Sequence, residues 1–190
     1  DAATIWHGRY MNLLEELIDK SSDDEKSAYT AIYESAKNVP ENPPASFREA
    51  IQSFWFIYCF LRLNGNWPGL GRIDEMLGHY LEDDLKNRHI TIDEARELVA
   101  HFWIRGTEWF GLNAWVGGDA QFYQNIILGG INKDGEEVTN EMTYLVLDVI
   151  EELHISDFPV AVRINRDSPE RLLRKVAETQ KQGGGIVSVY

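Results

Sequence analysis

Apolar residues recur at helical spacing through the first half of the chain. This spacing predicts amphipathic helices, because residues three or four apart share one face of a helix. Two of the helices begin with the Ser/Thr-x-x-Glu spacing of a capping box, at Ser46 and at Thr91. The predicted helices cover about residues 5–18, 23–37, 46–63, 73–85 and 91–104. The third is apolar on nearly all sides, as is typical of a helix buried in a larger body.

The pattern changes in the second half, where short runs of branched residues alternate with helical segments. Such runs predict buried strands at 125–131, 159–164 and 186–190, separated by helices over 139–154 and from Asp167 to about Gly183. Strands joined by helices of this length lie parallel. We therefore predict a mostly helical α/β chain, with a helical layer over 1–118 and a parallel βαβαβ unit over 119–190.

The position of the last strand bears on function. Parallel sheets in α/β folds carry their sites at the carboxyl ends of the strands. The third predicted strand reaches Tyr190, so we expect residues of the site to follow it in a longer parent protein.

Charge and composition limit the classes of partner. The 31 acidic and 18 basic residues give a net charge of −13, which opposes binding to nucleic acids and to anionic membranes. The longest apolar run, Phe54 to Leu61, is far shorter than the roughly 20 residues of a membrane-spanning helix. Cys59 is the only cysteine and lies in this run, where a buried, inert thiol is expected. We expect a cytoplasmic protein.

Familiar catalytic motifs are not found in the sequence. The glycines of 64–72 and of 183–185 follow helices and lack the spacing of a phosphate-binding loop. The five histidines lack the spacing of metal ligands, and there is no Gly-x-Ser-x-Gly motif. Two polar and aromatic clusters remain, Asn66-Trp67 and Phe122–Asn125. Both are suited to a closed pocket, although ordinary packing explains them equally well.

Six segments of the chain resemble, in the same order, segments of the glycyl radical enzymes of the pyruvate formate-lyase family. Each is weakly specific alone, and their shared order makes the resemblance strong. They are Val39-Pro40 with Pro43-Pro44; Phe47 to Phe56; Leu70-Gly71-Arg72-Ile73-Asp74; Ile90 to Leu98 with Phe102-Trp103-Ile104; Gln124 to Gly130; and Asp134-Gly135 with Val138-Thr139-Asn140.

The resemblance implies part of a ten-stranded α/β barrel with an enclosed active site. It also implies a stored glycyl radical, which oxidises a cysteine to a thiyl radical that attacks the substrate. Neither residue can be placed here, because Cys59 does not match the family's cysteine loop and the Arg-Val-x-Gly motif is absent. The radical glycine is expected in a missing carboxyl-terminal region, where an iron–sulfur activase that uses S-adenosylmethionine would install it.

Part of the substrate pocket does carry over by resemblance. Asn66 and Trp67 align with a loop that faces substrate, and Tyr123 aligns with a pocket tryptophan of the pyruvate enzyme. With Asn125, they are the predicted substrate-binding residues. The implied parent is a formate acetyltransferase, lyase, dehydratase or decarboxylase that acts on a small organic molecule and forms a homodimer, and the chain alone is expected to be inactive. The alternatives are a non-catalytic helical interaction module and a nucleotide-binding α/β enzyme.

Overall fold

The computed structural model describes residues 2–63, 69–107, 125–155 and 158–190. The chain divides into two compact units, Asp1–Gly65 and Asn66–Tyr190. The first contains α1 (Ala2–Lys20), α2 (Asp23–Asn38) and α3 (Phe47–Leu63). The second contains α4 (Ile73–Asn87), α5 (Ile92–Thr107), β1 (Ile126–Gly129), α6 (Glu141–Leu153), β2 (Val160–Arg163), α7 (Glu170–Lys181) and β3 (Val187–Val189). The predicted elements are confirmed.

Aromatic side chains hold the first unit together. The ring of Trp6 on α1 lies 4.6 Å from that of Phe56 and 5.7 Å from that of Phe60, both on α3. His7 Nε2 lies 2.9 Å from the carbonyl oxygen of Ala36, which joins α1 to the end of α2. Cys59 is buried in this unit, and burial raises the pKa of its thiol to about 12. The thiol is therefore neutral at physiological pH, in agreement with a packing role.

Predicted capping residues fix where the helices begin. Thr91 and Glu94 form both bonds of a capping box, from Thr91 N to Glu94 Oε2 (2.7 Å) and from Glu94 N to Thr91 Oγ1 (3.2 Å). At α3, Ser46 accepts from Glu49 N, but the Glu49 carboxylate instead accepts from Ala45 N (2.8 Å). The spacing of the residues thus predicted where both helices begin. At α3, however, the carboxylate of Glu49 accepts from the N–H of Ala45, one residue before the predicted donor Ser46.

The three strands form a parallel sheet in the order β1-β2-β3. Crossovers between parallel strands are almost always right-handed, which places α6 and α7 on one face of the sheet. Five of the six strand residues that point to this face are buried and the sixth, Val189, is half-buried; the buried ones are Ile126, Leu128, Val160, Val162 and Val187. The middle row of the other face, Ile127, Ala161 and Ser188, is half-buried or exposed. The two faces of the sheet therefore differ sharply in burial.

α6 is the central helix on the covered face. Eight of its residues are buried, and it contacts α4, α5 and α7. Charged side chains connect it to α7, where Lys175 Nζ lies 2.6 Å from Asp148 Oδ1 and 2.7 Å from Glu151 Oε2. This helical layer fixes the position of the sheet and leaves its other face available.

Candidate functional site

A small cavity lies on the open face of the sheet. It has a volume of about 160 Å³. Its lining comes from all three strands and the residues next to them: Asn125, Ile127, Pro159, Val160, Ala161, Ser188 and Tyr190. The amide of Asn125 and the hydroxyl groups of Ser188 and Tyr190 are its polar side-chain groups, and the rest of the lining is apolar. Such a mixture is typical of the wall of a small-molecule pocket.

One of the four predicted substrate-binding residues can be located on this face. Asn125 immediately precedes β1, is exposed and lines the cavity. Asn66, Trp67 and Tyr123 lie outside the described residues, so their roles stay predictions. Ile127, Ala161 and Ser188 were not among the predicted site residues. Only the register of the sheet brings these three side chains into one row.

The segment that follows the predicted Asn66-Trp67 cluster pairs with the start of β1. Leu70 N and Gly71 N both donate to Asn125 O, each at 3.1 Å, and Ile127 N donates to Gly71 O at 2.8 Å. Gly71 and Ile126 form a parallel bridge. The backbone of Asn125 is thereby held from the side opposite β2.

Arg72 and Asp74 extend this pairing to the far end of β1. The guanidinium of Arg72 donates to the carbonyl oxygens of Ile131 (2.8 Å) and Gly129 (3.0 Å). Asp74 is fully buried and accepts from the backbone N–H of Gly129 at 2.6 Å. Gly129 and Gly130 have φ of 64° and 81°, a conformation that glycine adopts without strain. Leu70–Asp74 thus forms hydrogen bonds to both ends of β1, and we call this segment the clamp.

A second helix completes the surroundings of Asp74. Thr143 Oγ1 on α6 donates to Asp74 Oδ2 at 2.9 Å, and Asn140 Nδ2 donates to Asp74 O at 2.9 Å. Asn140 also caps α6 by accepting from the N–H groups of Met142 and Thr143. Three of the six segments singled out in the sequence, around Leu70, Gln124 and Val138, therefore meet at one residue, Asp74: Gly129 bonds to its carboxylate and Asn140 to its backbone carbonyl.

The electrostatics of Asp74 reflect competing effects. Burial raises the pKa of its carboxyl, because a buried charge loses hydration. Hydrogen bonds from Gly129, Thr143 and Glu75 and the charge of Arg72 act in the opposite direction, and the pKa remains above its ordinary value. Every polar contact of the carboxylate is accounted for by groups that hold the fold, which indicates that Asp74 positions other residues and does not react.

Glu137 connects the two loops at the carboxyl ends of β1 and β2. Its carboxylate accepts from Thr139 Oγ1 (2.5 Å), Asn165 Nδ2 (2.5 Å) and Ser168 Oγ (3.0 Å). Partial burial acts to raise the pKa of Glu137, but the three side-chain donors outweigh it and lower the pKa. The loops at this edge are therefore tied together by a carboxylate that stays ionised.

Two other kinds of site can be assessed on the described ranges alone. Within residues 2–63, 69–107, 125–155 and 158–190, no group of three or more His, Cys, Asp or Glu side chains is placed to hold a metal ion. No helix among these residues is long and apolar enough to cross a membrane.

The sequence profile of the family described as pyruvate formate lyase-like matches residues 1–190, the whole chain. The chain belongs to this family. The resemblance seen in six ordered segments is thereby confirmed, and the convergence of three of them on Asp74 gives those segments a structural reason.

Known members of the pyruvate formate lyase-like family differ in the reaction named for them. The isethionate sulfite-lyase of Nitratidesulfovibrio vulgaris is 34% identical over 195 residues, which cover 98% of this chain and 24% of that protein. The trans-4-hydroxy-L-proline dehydratase of Clostridioides difficile is 28% identical over 199 residues, with coverage of 100% and 25%. The chain spans about a quarter of the length of these curated relatives.

A solved structure agrees with the fold. The crystal structure of a glycyl radical enzyme from Archaeoglobus fulgidus matches with a TM-score of 0.87 and 27% identity, covering 100% of this chain and 25% of that one. The prediction of a mostly helical α/β chain that forms part of a pyruvate formate lyase-like barrel is confirmed. Such enzymes use a glycyl radical.

The residues of this chain do not match the cysteine and the glycine that carry the radical in this family. Its single thiol, Cys59, is buried in the first unit with a pKa of about 12, and no Arg-Val-x-Gly motif occurs in the sequence. We therefore assign no radical step to residues 1–190. What the described residues supply is a shaped sheet face with a supporting clamp.

Proposed function

We propose that this chain is part of a longer glycyl radical enzyme, in which it forms one wall of the substrate chamber. The parent enzyme cleaves a bond in a small organic substrate, as a lyase, dehydratase or decarboxylase. The observation that carries this proposal is the open sheet face, which lies opposite a largely buried face in a chain that matches glycyl radical enzymes over its whole length. The chain alone is inactive.

The proposed wall has both apolar and polar groups. In this proposal Asn66, Trp67, Tyr123 and Asn125 bind the substrate. Of these four, Asn125 lies in the described part of the chain, where it lines one cavity with Ile127, Ala161 and Ser188. The amide of Asn125 and the hydroxyl of Ser188 can donate to or accept from a polar substrate group. The apolar side chains exclude water, because water would divert radical intermediates into side reactions.

The remaining components belong to the rest of the parent protein and to its partners. A glycyl radical outside residues 1–190 would supply the oxidising equivalent, and an activase that uses S-adenosylmethionine and an iron–sulfur cluster would install it. We further propose that the enzyme is cytoplasmic, homodimeric and active under anaerobic conditions. All of residues 1–190 lie within a single family domain.

The experiment is turnover by the full-length protein after anaerobic activation. Isethionate, trans-4-hydroxy-L-proline and related hydroxylated or carboxylated small molecules are supplied one at a time, and products are identified by mass spectrometry. We expect cleavage of one substrate class by the activated protein and none by the 190-residue chain. Failure of the activated protein with every class of substrate would contradict the proposal.

Trp67→Ala provides a test of the chamber wall. In the activated full-length protein we expect it to lower kcat/KM by about tenfold or more while the unfolding free energy changes less, because a lost substrate contact acts on the transition state. Unaltered kinetics would mean that Trp67 only packs.

A further inference from the structure

The clamp of Leu70–Asp74 on β1 has no role in the chemistry proposed above. Its contacts nevertheless lie at both ends of the strand that begins the chamber wall. At one end, Leu70 and Gly71 bind the backbone of Asn125. At the other end, Arg72 binds two carbonyl oxygens and Asp74 binds Gly129 N.

These contacts are stronger than a strand edge requires. An ordinary edge needs backbone pairing alone, whereas here two charged side chains add three hydrogen bonds. Hydrogen bonds to charged groups contribute about twice as much as neutral ones. The carboxylate of Asp74 is itself fixed by Thr143 from α6. Asp74 therefore connects β1 to the most buried helix of the unit.

Asp74 acts on the open face only through backbone. Its hydrogen bond to β1 is with the N–H of Gly129, and its other hydrogen bonds are to Glu75, Asn140 and Thr143, which do not line the cavity. A change in Asp74 therefore reaches Asn125 and Ile127 by displacement of β1 and not by loss of a substrate contact.

We infer that Arg72 and Asp74 are positioning residues, which hold β1 so that Asn125 and Ile127 keep their places in the wall of the chamber. This inference rests on the proposed function. A displacement of about 1 Å in such a wall can cost up to 100-fold in rate. The role differs from a purely structural one, because it predicts a loss of turnover in proteins that remain folded.

The first measurement uses the 190-residue chain and needs no catalytic activity. Amide hydrogen exchange is compared for wild type, Asp74→Asn, Thr143→Val and Thr143→Ser. Asp74→Asn places an N–H group where a carboxylate oxygen accepts a hydrogen bond. Thr143→Val removes the donor to Asp74 with little change of shape. Thr143→Ser keeps the hydroxyl group and is the control. We expect exchange at Gly129 and Ile127 to be about tenfold faster in the Asn and Val variants. Thr143→Ser is expected to match wild type.

The second measurement uses the activated full-length protein. Asp74→Asn and Thr143→Val should lower kcat/KM by about tenfold or more, with both kcat and KM affected. Asp83→Asn, at an exposed position on the same helix, is the matched control and should leave both constants unchanged. If Asp74→Asn does not fold, the pair of Thr143 variants decides the question.

The two measurements separate failure of this inference from failure of the proposed function. Unchanged exchange at Gly129 and Ile127 in folded variants would overturn the clamp itself. Faster exchange with unchanged kinetics would leave Asp74 a structural residue and overturn its positioning role. Absence of turnover in activated wild type would contradict the proposed function, while the exchange data would still test whether the clamp holds β1.

Discussion

Gly78 lies on α4 where this helix passes the start of α6. A Cβ atom added at Gly78 would lie 2.2 Å from Nδ2 and 2.8 Å from Cγ of Asn140. Side-chain carbons do not approach so closely, so Gly78→Ala must displace the Asn140 side chain. That side chain caps α6 and donates to Asp74 O.

The size of the effect follows from these contacts. Loss of an Asn cap costs about 1 kcal/mol of unfolding free energy. Loss of the hydrogen bond to Asp74 costs about 1 kcal/mol more. Alanine is favoured over glycine inside a helix by about 1 kcal/mol. We therefore expect Gly78→Ala to destabilise the wild type by about 1 kcal/mol on balance, even though most Gly→Ala changes within helices stabilise.

The same substitution should have the opposite sign when Asn140 is absent. Asn140→Ala removes all three atoms that a Cβ at Gly78 would meet. The N-cap of α6 is already lost in this variant, so Gly78→Ala cannot disrupt it further. In that background Gly78→Ala should stabilise by about 1 kcal/mol. The coupling between the two sites is then about 2 kcal/mol, which is within the range for residues in contact.

The assay is a double-mutant cycle on the 190-residue chain. Unfolding free energies come from urea titration and from hydrogen exchange of the α6 amides. Gly8→Ala in α1 is the control, because a Cβ there meets nothing within 4 Å, and it should stabilise α1 by about 1 kcal/mol. Equal effects of Gly78→Ala in both backgrounds would refute the close approach of α4 and Asn140.

Two further predictions concern ionisable groups. The pKa of Glu137 is lowered in the folded protein, so its contribution to stability is present above its unfolded pKa and is lost as pH falls through the folded value. Wild type should therefore be more stable than Glu137→Gln at pH 7 in urea titrations, and the difference should shrink as the pH falls below the ordinary pKa of a glutamate; a difference that is constant with pH would contradict this. The thiol of Cys59, with a pKa of about 12, should react with a thiol reagent at pH 8 at least about 100-fold more slowly in the folded chain than in concentrated urea. Equal rates would show that the thiol is not buried.

The order of the elements could be predicted because periodicity is a local property. The branched run around Ile126 and the stripe of α6 each define an element without reference to the rest of the chain. The open face could not be predicted in the same way. The run Ile126-Ile127-Leu128 is apolar at every position, so it does not say which side of the sheet is covered.

The clamp was also beyond prediction from pattern alone. Arg72 and Asp74 reach carbonyl and N–H groups more than 50 residues away, and no local signal identifies such backbone partners. The resemblance to the glycyl radical enzymes marked these segments as important without giving the reason. Glu137 was missed for a similar cause, because its donors come from two loops that only the parallel sheet brings together.

We propose that these 190 residues form a wall of a glycyl radical enzyme whose radical lies elsewhere in the protein. The decisive measurement is electron paramagnetic resonance after anaerobic incubation with a radical S-adenosylmethionine activase. We expect an organic radical in the full-length protein, with hyperfine structure that changes when glycine is deuterated, and no radical in the 190-residue chain. Absence of a radical in the full-length protein, or a glycine-centred radical within residues 1–190, would contradict it.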